Sequence, residues 1–276
     1  MTVVLLSLAS ALTFGGMSVA VRFGMRGEGG GAGVALATAT VALVVVGLSS
    51  LVRHDYANAW KFFLVGILAP GLSQSLFTLA IRELGASRTS VAVGTAPLFA
   101  VVIAFVFLDE PVRPALVVGS VAIVAGGVML ASERGAAARL RLRGLGYAML
   151  AAVLFATRDN IARALHTEGS PETVAAATML AGVVVSFLLA RRPPTRRELR
   201  RLAPAGVLFG LSYVCLFEAY FHGRVSVVSP LVATEALWGV LLAAVVFRGK
   251  EQVGRFVLLG AAAVVAGGVL IGAASS

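Results

Sequence analysis

The chain alternates long apolar segments with short charged clusters, and this alternation limits its possible folds more than any other feature. A helix needs about 20 apolar residues to cross the hydrocarbon core of a bilayer. Ten segments of about that length are present, approximately at 3–22, 33–52, 60–80, 89–108, 114–132, 145–165, 173–190, 203–221, 225–247 and 255–273. The sequence therefore predicts an all-α integral membrane protein without a separate soluble domain. The polar segments 133–143 and 191–201 are expected to be loops.

The composition excludes several other classes of protein. Of the residues, 59% are hydrophobic and 13% charged, whereas a soluble domain has about 45–50% apolar and about 25% charged residues. The net charge of +10 does not indicate a nucleic-acid partner, because the charges lie in clusters between apolar runs. The single cysteine, Cys215, excludes an intramolecular disulfide and a site of several thiolates. We expect no cofactor and no metal site; the expected partners are membrane lipids and a small solute.

An internal repeat divides the chain into two related halves. One set of residues recurs 141 positions later and another 140 positions later. The first set is Glu110, Gly119 and 125–128, which recur as Glu251, Gly260 and 266–269; the second is Gly66 and 76–77, which recur as Gly206 and 216–217. The sequence predicts a first five-helix repeat at 1–134, a basic connecting loop at 135–143 and a second five-helix repeat at 144–276.

The odd number of spans in each repeat predicts how the halves are related. After five spans, the second copy enters the membrane from the opposite side, which gives ten helices in a 5+5 inverted repeat around a central cavity. Two such halves can exchange conformations and open a central site to each side in turn. The repeat therefore favours a transporter; the alternative is a duplicated scaffold that transports nothing.

The chain resembles the drug/metabolite transporter superfamily, EamA type. The residues that carry the resemblance are Ala96-Pro97-Leu-Phe, Glu110 thirteen residues after Pro97, and the glycine-rich fifth span, with a second copy around Glu251 and the tenth span. The resemblance implies a ten-helix basket around a solute cavity lined mainly by spans 1, 3, 4, 6, 8 and 9. In one respect the sequence differs: 141 positions after Pro97 stands Trp238, so a kink at Pro97 need not recur in span 9.

Four ionisable side chains within the predicted spans qualify as candidates for a functional site: Arg158, Asp159, Glu218 and Glu235. A charged group at the centre of a membrane helix costs about 2.5–3.5 kcal/mol, so it persists only when it is paired or faces a polar cavity. All four lie at the centre of their spans or toward the same end of the membrane. We expect them to form one cluster on spans 6, 8 and 9.

These residue types suggest roles in binding a solute. Arg158 would hold an anionic group with its bidentate guanidinium. Glu235 or Glu218 would hold an amine, or would carry a coupling proton, because burial favours the neutral form of a carboxyl group. The alternatives are an Arg–Glu pair that only fixes helix packing, and a pair between Asp159 and Arg163 one helical turn later.

Uncharged polar and aromatic residues extend the predicted binding site. They are Gln74 in span 3, Asn160 in span 6, Tyr213 and Tyr220 in span 8, and Trp238 in span 9. Trp238 lies in mid-span, away from the interface where tryptophan is usual, and could stack on a solute or simply fill the core.

Other residues receive structural interpretations. His222 is expected at the membrane interface, and Glu110 and Glu251 are expected to favour the start of the helix that follows each. Small residues at Ala122/Gly126 and Ala263/Gly267 form ridges on spans 5 and 10 that let helices approach closely. These ridges could pack on each other within the chain or form a homodimer.

The distribution of basic residues predicts the orientation. Of the 23 Lys and Arg residues, 17 lie on the side of the loops after spans 1, 3, 5, 7 and 9, five lie on the other side, and the remaining one is Arg158. The positive-inside rule places those five loops in the cytoplasm and both termini outside. We expect a multi-pass protein of the cell membrane.

The function that the sequence favours is secondary transport, as an exporter, of small organic metabolites such as amino acids. No Walker motif is present, so ATP is not the direct energy source. A solute channel or facilitator is the nearest alternative. A non-transporting scaffold and a membrane-embedded enzyme are weaker ones, since the sequence has no paired-Asp motif, nucleophile elbow or histidine cluster.

Overall fold

The computed structural model describes residues 2–25, 31–51, 56, 58–85, 89, 92–108, 113–132, 142–246 and 255–275. All regular structure within these residues is helical. The α-helices are α1 (Thr2–Gly24), α2 (Gly31–Ser50), α3 (Ala59–Gly66), α4 (Ser73–Leu84), α5 (Ala96–Phe107), α6 (Pro114–Ser132), α7 (Leu142–Ala164), α8 (Pro171–Ala190), α9 (Arg196–His222), α10 (Val225–Val232), α11 (Glu235–Val246) and α12 (Arg255–Ser275). Glu110, Glu251 and nearly all of the predicted loop 135–143 lie outside the described residues.

A helix lies at the position of every predicted span, but not every helix is an apolar span of full length. Among the described residues, six segments are long and apolar enough to cross a membrane: Thr2–Gly24, Gly31–Ser50, Ala59–Leu84, Pro171–Ala190, Arg196–His222 and Val225–Val246. Shorter apolar helices occupy Ala96–Phe107, Pro114–Met129 and Ala262–Ile271. Helix α7 is 23 residues long, but its apolar character is broken by Arg143, Arg158, Asp159 and Arg163.

The predicted loop 191–201 is shorter in the structure, because α9 already begins at Arg196. A capping box starts this helix: the Thr195 hydroxyl accepts from the Glu198 backbone N–H at 3.2 Å, and the Glu198 carboxylate accepts from the Thr195 backbone N–H at 2.8 Å. Two of the helix's free N–H groups are thereby satisfied. Span 8 is therefore about two turns longer at its start than the apolar residues alone indicate.

The third span is bent at Pro70, which the sequence analysis did not single out. Between α3 and α4, residues Ile67–Leu72 form a kink in which Ala69 has an extended backbone (φ −147°, ψ 121°). Proline has no N–H to donate to the helix and favours such a break. Gly182 of α8 makes room for the bend, since a Cβ atom there would be 2.6 Å from Pro70 Cγ.

Turns interrupt the fourth and ninth spans at equivalent places. In the fourth, Thr95 donates its backbone N–H and its hydroxyl to Ala92 O, at 3.3 and 2.7 Å. In the ninth, Thr234 does the same to Leu231 O, at 3.2 and 2.7 Å. The turn in the fourth span and the turn in the ninth span are thus 139 positions apart, not 141. At this offset Pro97 aligns with Ala236 instead of Trp238. The proline of the ninth span, Pro230, lies before the turn, whereas Pro97 follows the turn of the fourth span.

The core is made of helix contacts centred on α1. The Phe14 ring packs against the rings of Phe77, Phe155 and Phe209, with centroids 5.4, 6.1 and 6.0 Å away. Spans 1, 3, 6 and 8 therefore meet at one aromatic centre. This centre lies next to the polar cavity described below.

Helices α6 and α12 pack on each other along their small-residue ridges. A Cβ atom on Gly126 would be 2.6 Å from Gly260 O, and one on Gly267 would be 2.6 Å from Gly119 O. Of the two uses that the sequence left open, packing within the chain is therefore observed. A homodimer through these ridges stays a prediction.

Candidate polar cavity

A cavity of about 50 Å³ lies among α1, α5, α7, α9, α10 and α11. Three of its lining residues are ionisable: Arg158, Asp159 and Glu235. The others that matter for its chemistry are Ser10, Phe14, Phe155, Ser212, Tyr213 and Ser229. The cavity thus brings charged groups and aromatic rings together. Spans 1, 4, 6, 8 and 9 contribute to it, as the family resemblance implied, whereas no described residue of span 3 lines it.

Arg158 is almost fully buried, with 3% of its surface exposed, and its guanidinium group is held from several directions. Nε donates to Asp159 Oδ1 at 2.7 Å, Nη2 donates to the same oxygen, and Nη1 donates to the Tyr213 hydroxyl at 2.5 Å. The guanidinium carbon also lies 5.2, 5.1 and 5.6 Å from the ring centroids of Phe155, Tyr213 and Phe217. These cation–π contacts and hydrogen bonds fix its position.

Asp159 is paired with Arg158 and with Tyr220. Its second oxygen, Oδ2, accepts from the Tyr220 hydroxyl at 2.7 Å. The pair with Arg163 that the sequence suggested is therefore not made; Arg163 instead donates to the carbonyl oxygens of Tyr220 and Phe221 at 3.0 and 3.2 Å.

Tyr213 and Tyr220 are seven residues apart, so they lie on one face of α9. This spacing indicates in the sequence that both hydroxyl groups can reach the Arg158–Asp159 pair.

Glu235 contributes a buried carboxyl group to the cavity. It begins α11 and is 5% exposed. Within the part of the chain that the structure describes, no side chain or backbone N–H donates to its carboxyl oxygens. The first turn of a helix stabilises a negative charge, but a buried carboxyl group still needs a proton or a cation nearby.

Glu218 lies apart from the cavity. Its side chain is 27% exposed and is 3.7 Å from His222 Nδ1. Glu218 follows Tyr213 by five residues, which corresponds to a rotation of about 140° around α9. The structure therefore brings together three of the four ionisable residues and places Glu218 on another face of the helix. His222 is exposed at the end of α9.

The remaining predicted site residues do not line the cavity. Asn160 joins two helices, since its Nδ2 donates to Ala156 O of α7 at 2.9 Å and to Ala100 O of α5 at 3.1 Å. Gln74 is buried, with Nε2 3.9 Å from Met17 Sδ. Trp238 packs beside Gly15, whose Cβ position would be 2.9 Å from Trp238 Cβ.

The serines of the cavity were not predicted from the sequence. The Ser10 hydroxyl donates to Ser212 O at 3.0 Å, and the Ser212 hydroxyl donates to Ser10 O at 3.1 Å. This reciprocal pair joins α1 to α9 across the cavity wall. A serine within an apolar segment carries no local signal of such a role.

Among the described residues, no group of three His, Cys, Asp or Glu side chains is placed to hold a metal ion.

Comparison with known proteins concerns the family and the fold of the whole chain. The model of the EamA-like transporter family matches the chain twice, at residues 1–132 and 142–273. No curated protein matches the chain. A solved crystal structure superposes with a TM-score of 0.83, covering 99% of this chain and 97% of that chain at 18% sequence identity. At that identity the likeness shows the fold alone.

Proposed function

Because the chain belongs to the EamA-like transporter family, a family of small-solute transporters, we propose that it is a secondary transporter that exports small organic metabolites, such as amino acids or related solutes, across the cell membrane. The transport works by alternating access between two inverted five-helix repeats. The cavity containing Arg158, Asp159 and Glu235 is the solute site in this proposal.

Recurring helix positions support the two-repeat architecture. Helices α1 and α7 both have 23 residues and begin 140 positions apart, at Thr2 and Leu142. Helices α2 and α8 both have 20 residues and also begin 140 positions apart, at Gly31 and Pro171. The two matches to the family model begin 141 positions apart. With five spans in each copy, the second copy has the opposite orientation in the membrane.

The observation that carries the proposal is the carboxyl group of Glu235, which has no hydrogen-bond donor among the described residues and lies in a cavity that also contains a fixed Arg158–Asp159 pair. Burying three ionisable groups in a membrane is costly, and the pair needs no third member. Glu235 is therefore best explained by a ligand: the ammonium group of a solute or a coupling proton. A solute and a proton that compete for one carboxyl group would be exchanged across the membrane.

Arg158 is suited to the anionic end of a zwitterionic solute. A guanidinium group has five N–H groups, of which three donate to Asp159 and Tyr213. The two others can donate to a carboxylate while the pair with Asp159 stays intact. An amino acid bound between Arg158 and Glu235 would satisfy both groups.

The size of the cavity supports a conformational change during transport. A volume of about 50 Å³ has room for a few water molecules, each of which needs about 10–15 Å³ of such space. We infer that the walls move apart to admit an amino acid. The turns at Thr95 and Thr234 border the cavity and are the proposed hinges, since an interrupted helix bends more easily than a continuous one.

We propose that both termini lie outside the cell, on the basis of the 17 basic residues on the opposite side. A reporter that is active only in the cytoplasm should be inactive when fused after Ser276 and active when inserted between Pro193 and Pro194. The reverse pattern would invert the orientation and leave the rest of the proposal standing.

The metabolite content of cells and medium tests the proposed function. Three strains are compared at matched protein levels in the membrane: wild type, an empty vector, and Arg158→Ala. We expect one or more amine-bearing solutes to accumulate outside only with the wild-type protein. Accumulation inside would reverse the direction of transport, and a flux that does not saturate with solute would favour a channel. Equal profiles in all three strains would contradict the proposal.

A further inference from the structure

A second concave region lies on the membrane-facing surface of the helices and is separate from the cavity. It is a groove of about 490 Å³ between α1, α9 and α11, and it shares no lining residue with the cavity. Small residues of α1, including Gly16 and Ala20, form part of the groove, and leucines of α9 and α11 line it too. Side chains of three helices thus surround the space.

The length of the groove matches one leaflet of a bilayer. On α1 it extends from Leu12 to Phe23, a distance of about 16 Å at 1.5 Å per residue. Half of the hydrocarbon core of a bilayer measures about 15 Å. The groove therefore extends from near the middle of the membrane to one interface, where Phe23, Arg201 and Val246 lie together.

The polar groups of the groove are confined to its interfacial end. Thr13, at the other end, uses its hydroxyl within α1, where it donates to Ala9 O at 2.8 Å and to Ser10 O at 3.0 Å. Arg201 is an exposed residue. A ligand that fits this groove has an apolar chain and a polar head at one end.

The charge at the interfacial end is positive. Helix α9 begins with Arg196, Arg197, Arg200 and Arg201, and its acidic residue in this region, Glu198, is bound by Arg192, with Nη1–Oε2 and Nη2–Oε1 distances of 2.9 and 2.5 Å. Among the described residues, no carboxylate is paired with Arg201. Arginine binds phosphate through two parallel hydrogen bonds, so the end of the groove is complementary to a phosphate.

We propose that this groove binds one anionic phospholipid from the leaflet on the side of Arg201. An acyl chain lies along Gly16 and Ala20, and the phosphate group is held by Arg201. Because the bound chain would contact α1 and α11, which both line the cavity, the lipid would also stabilise the helices that form the transport site. This site is independent of the identity of the transported solute.

Lipid binding to the purified full-length protein tests the headgroup contact. After delipidation in detergent, dioleoyl phosphatidylglycerol is added, with dioleoyl phosphatidylcholine as the neutral probe, and bound lipid is counted by native mass spectrometry. We expect one phosphatidylglycerol per chain, bound about tenfold more weakly in Arg201→Gln, which is the loss of one charge-assisted contact. Arg200→Gln removes a neighbouring exposed arginine outside the groove and should bind like the wild type. Equal losses in both variants, or equal binding of both lipids by the wild type, would overturn the proposal.

A second pair of variants tests the acyl-chain site. Ala20→Phe fills the groove, whereas Val245→Phe enlarges an exposed side chain of α11 outside it. We expect Ala20→Phe to lose bound phosphatidylglycerol while Val245→Phe retains it, at equal thermal stability in detergent without added lipid. Retention of the lipid by Ala20→Phe, or a protein dimer without bound lipid in the wild type, would overturn the proposal.

Discussion

Gly15 lies directly against the backbone of Glu235. A Cβ atom on Gly15 would be 2.8 Å from Glu235 O and 2.8 Å from Gly239 N. Helix α1, which carries the cavity residues Ser10 and Phe14, is thereby held against the first turn of α11. The position of the Glu235 carboxyl group thus depends on a glycine in another helix, more than 200 residues away in sequence.

The adjacent glycines Gly15 and Gly16 should respond differently to alanine. Gly15→Ala forces backbone atoms apart, and overpacking of this kind costs about 1–3 kcal/mol; we expect a lower melting temperature in detergent and reduced transport. In Gly16→Ala the nearest atom is a Leu208 methyl carbon at 3.3 Å, which can shift. Equal melting temperatures for the two variants would contradict the close contact between α1 and α11.

The hydroxyl of Tyr220 should stabilise the buried pair through Asp159. Tyr220→Phe removes the 2.7 Å hydrogen bond to Asp159 Oδ2, and we expect a loss of about 1–2 kcal/mol in the free energy of unfolding. The control is Tyr147→Phe, because the Tyr147 ring is half-buried and is not part of the Arg158–Asp159 pair. Thermal unfolding in detergent measures both, and a Tyr220→Phe protein as stable as the control would contradict the role of the hydroxyl.

Removing Arg158 alone should be more damaging than removing the whole pair. Arg158→Ala leaves Asp159 as a buried, uncompensated charge, and such a change typically costs about 3–5 kcal/mol. Arg158→Met combined with Asp159→Leu removes both charges and should recover much of that loss. Unfolding measurements on the two proteins decide this, since a double variant less stable than Arg158→Ala would mean that the pair is needed for packing in its own right.

Glu235, rather than Glu218, should link transport to protons. In Glu235→Gln the cavity can no longer gain or lose a proton at that position, so export of the identified solute should lose its dependence on an imposed pH gradient. Glu218→Gln should keep that dependence, because Glu218 is partly exposed and lies beside His222. Solute flux in vesicles with and without the gradient measures the difference; unchanged gradient dependence in both variants would exclude these carboxyl groups as proton carriers.

The glycine ridge of α12 should act on stability rather than on assembly. Gly267→Ala places a methyl group 2.6 Å from Gly119 O, while the nearest atom to a Cβ on Gly268 is 3.8 Å away. We expect Gly267→Ala to unfold at a lower temperature than Gly268→Ala, with no change in oligomeric state by light scattering. A stable Gly267→Ala protein with an altered fraction of dimer would instead support the homodimer through these ridges.

Several features of the site could be predicted from the sequence because they follow from the cost of burying charge. Arg158, Asp159 and Glu235 stand out in apolar segments, and the structure places all three at one cavity. Glu218 also lies in an apolar segment, but it is not at the cavity. Its position on α9 is rotated by about 140° from that of Tyr213, so its side chain lies on another face of the helix. The spacing of Tyr213 and Tyr220 indicates a shared face of α9, but does not indicate which helix that face meets.

The apolar segments and the internal repeat were enough to predict where the helices lie, their repeated order and the ionisable groups within them. These properties depend on local composition and on comparison of the chain with itself. Three features became visible only in the packed helices: Asp159 pairs with Arg158 and Tyr220 rather than Arg163, Glu235 has no donor among the described residues, and α6 packs on α12. Such contacts depend on how each helix is rotated and how closely two helices approach. Packing over the whole bundle sets both quantities, and no single segment encodes them.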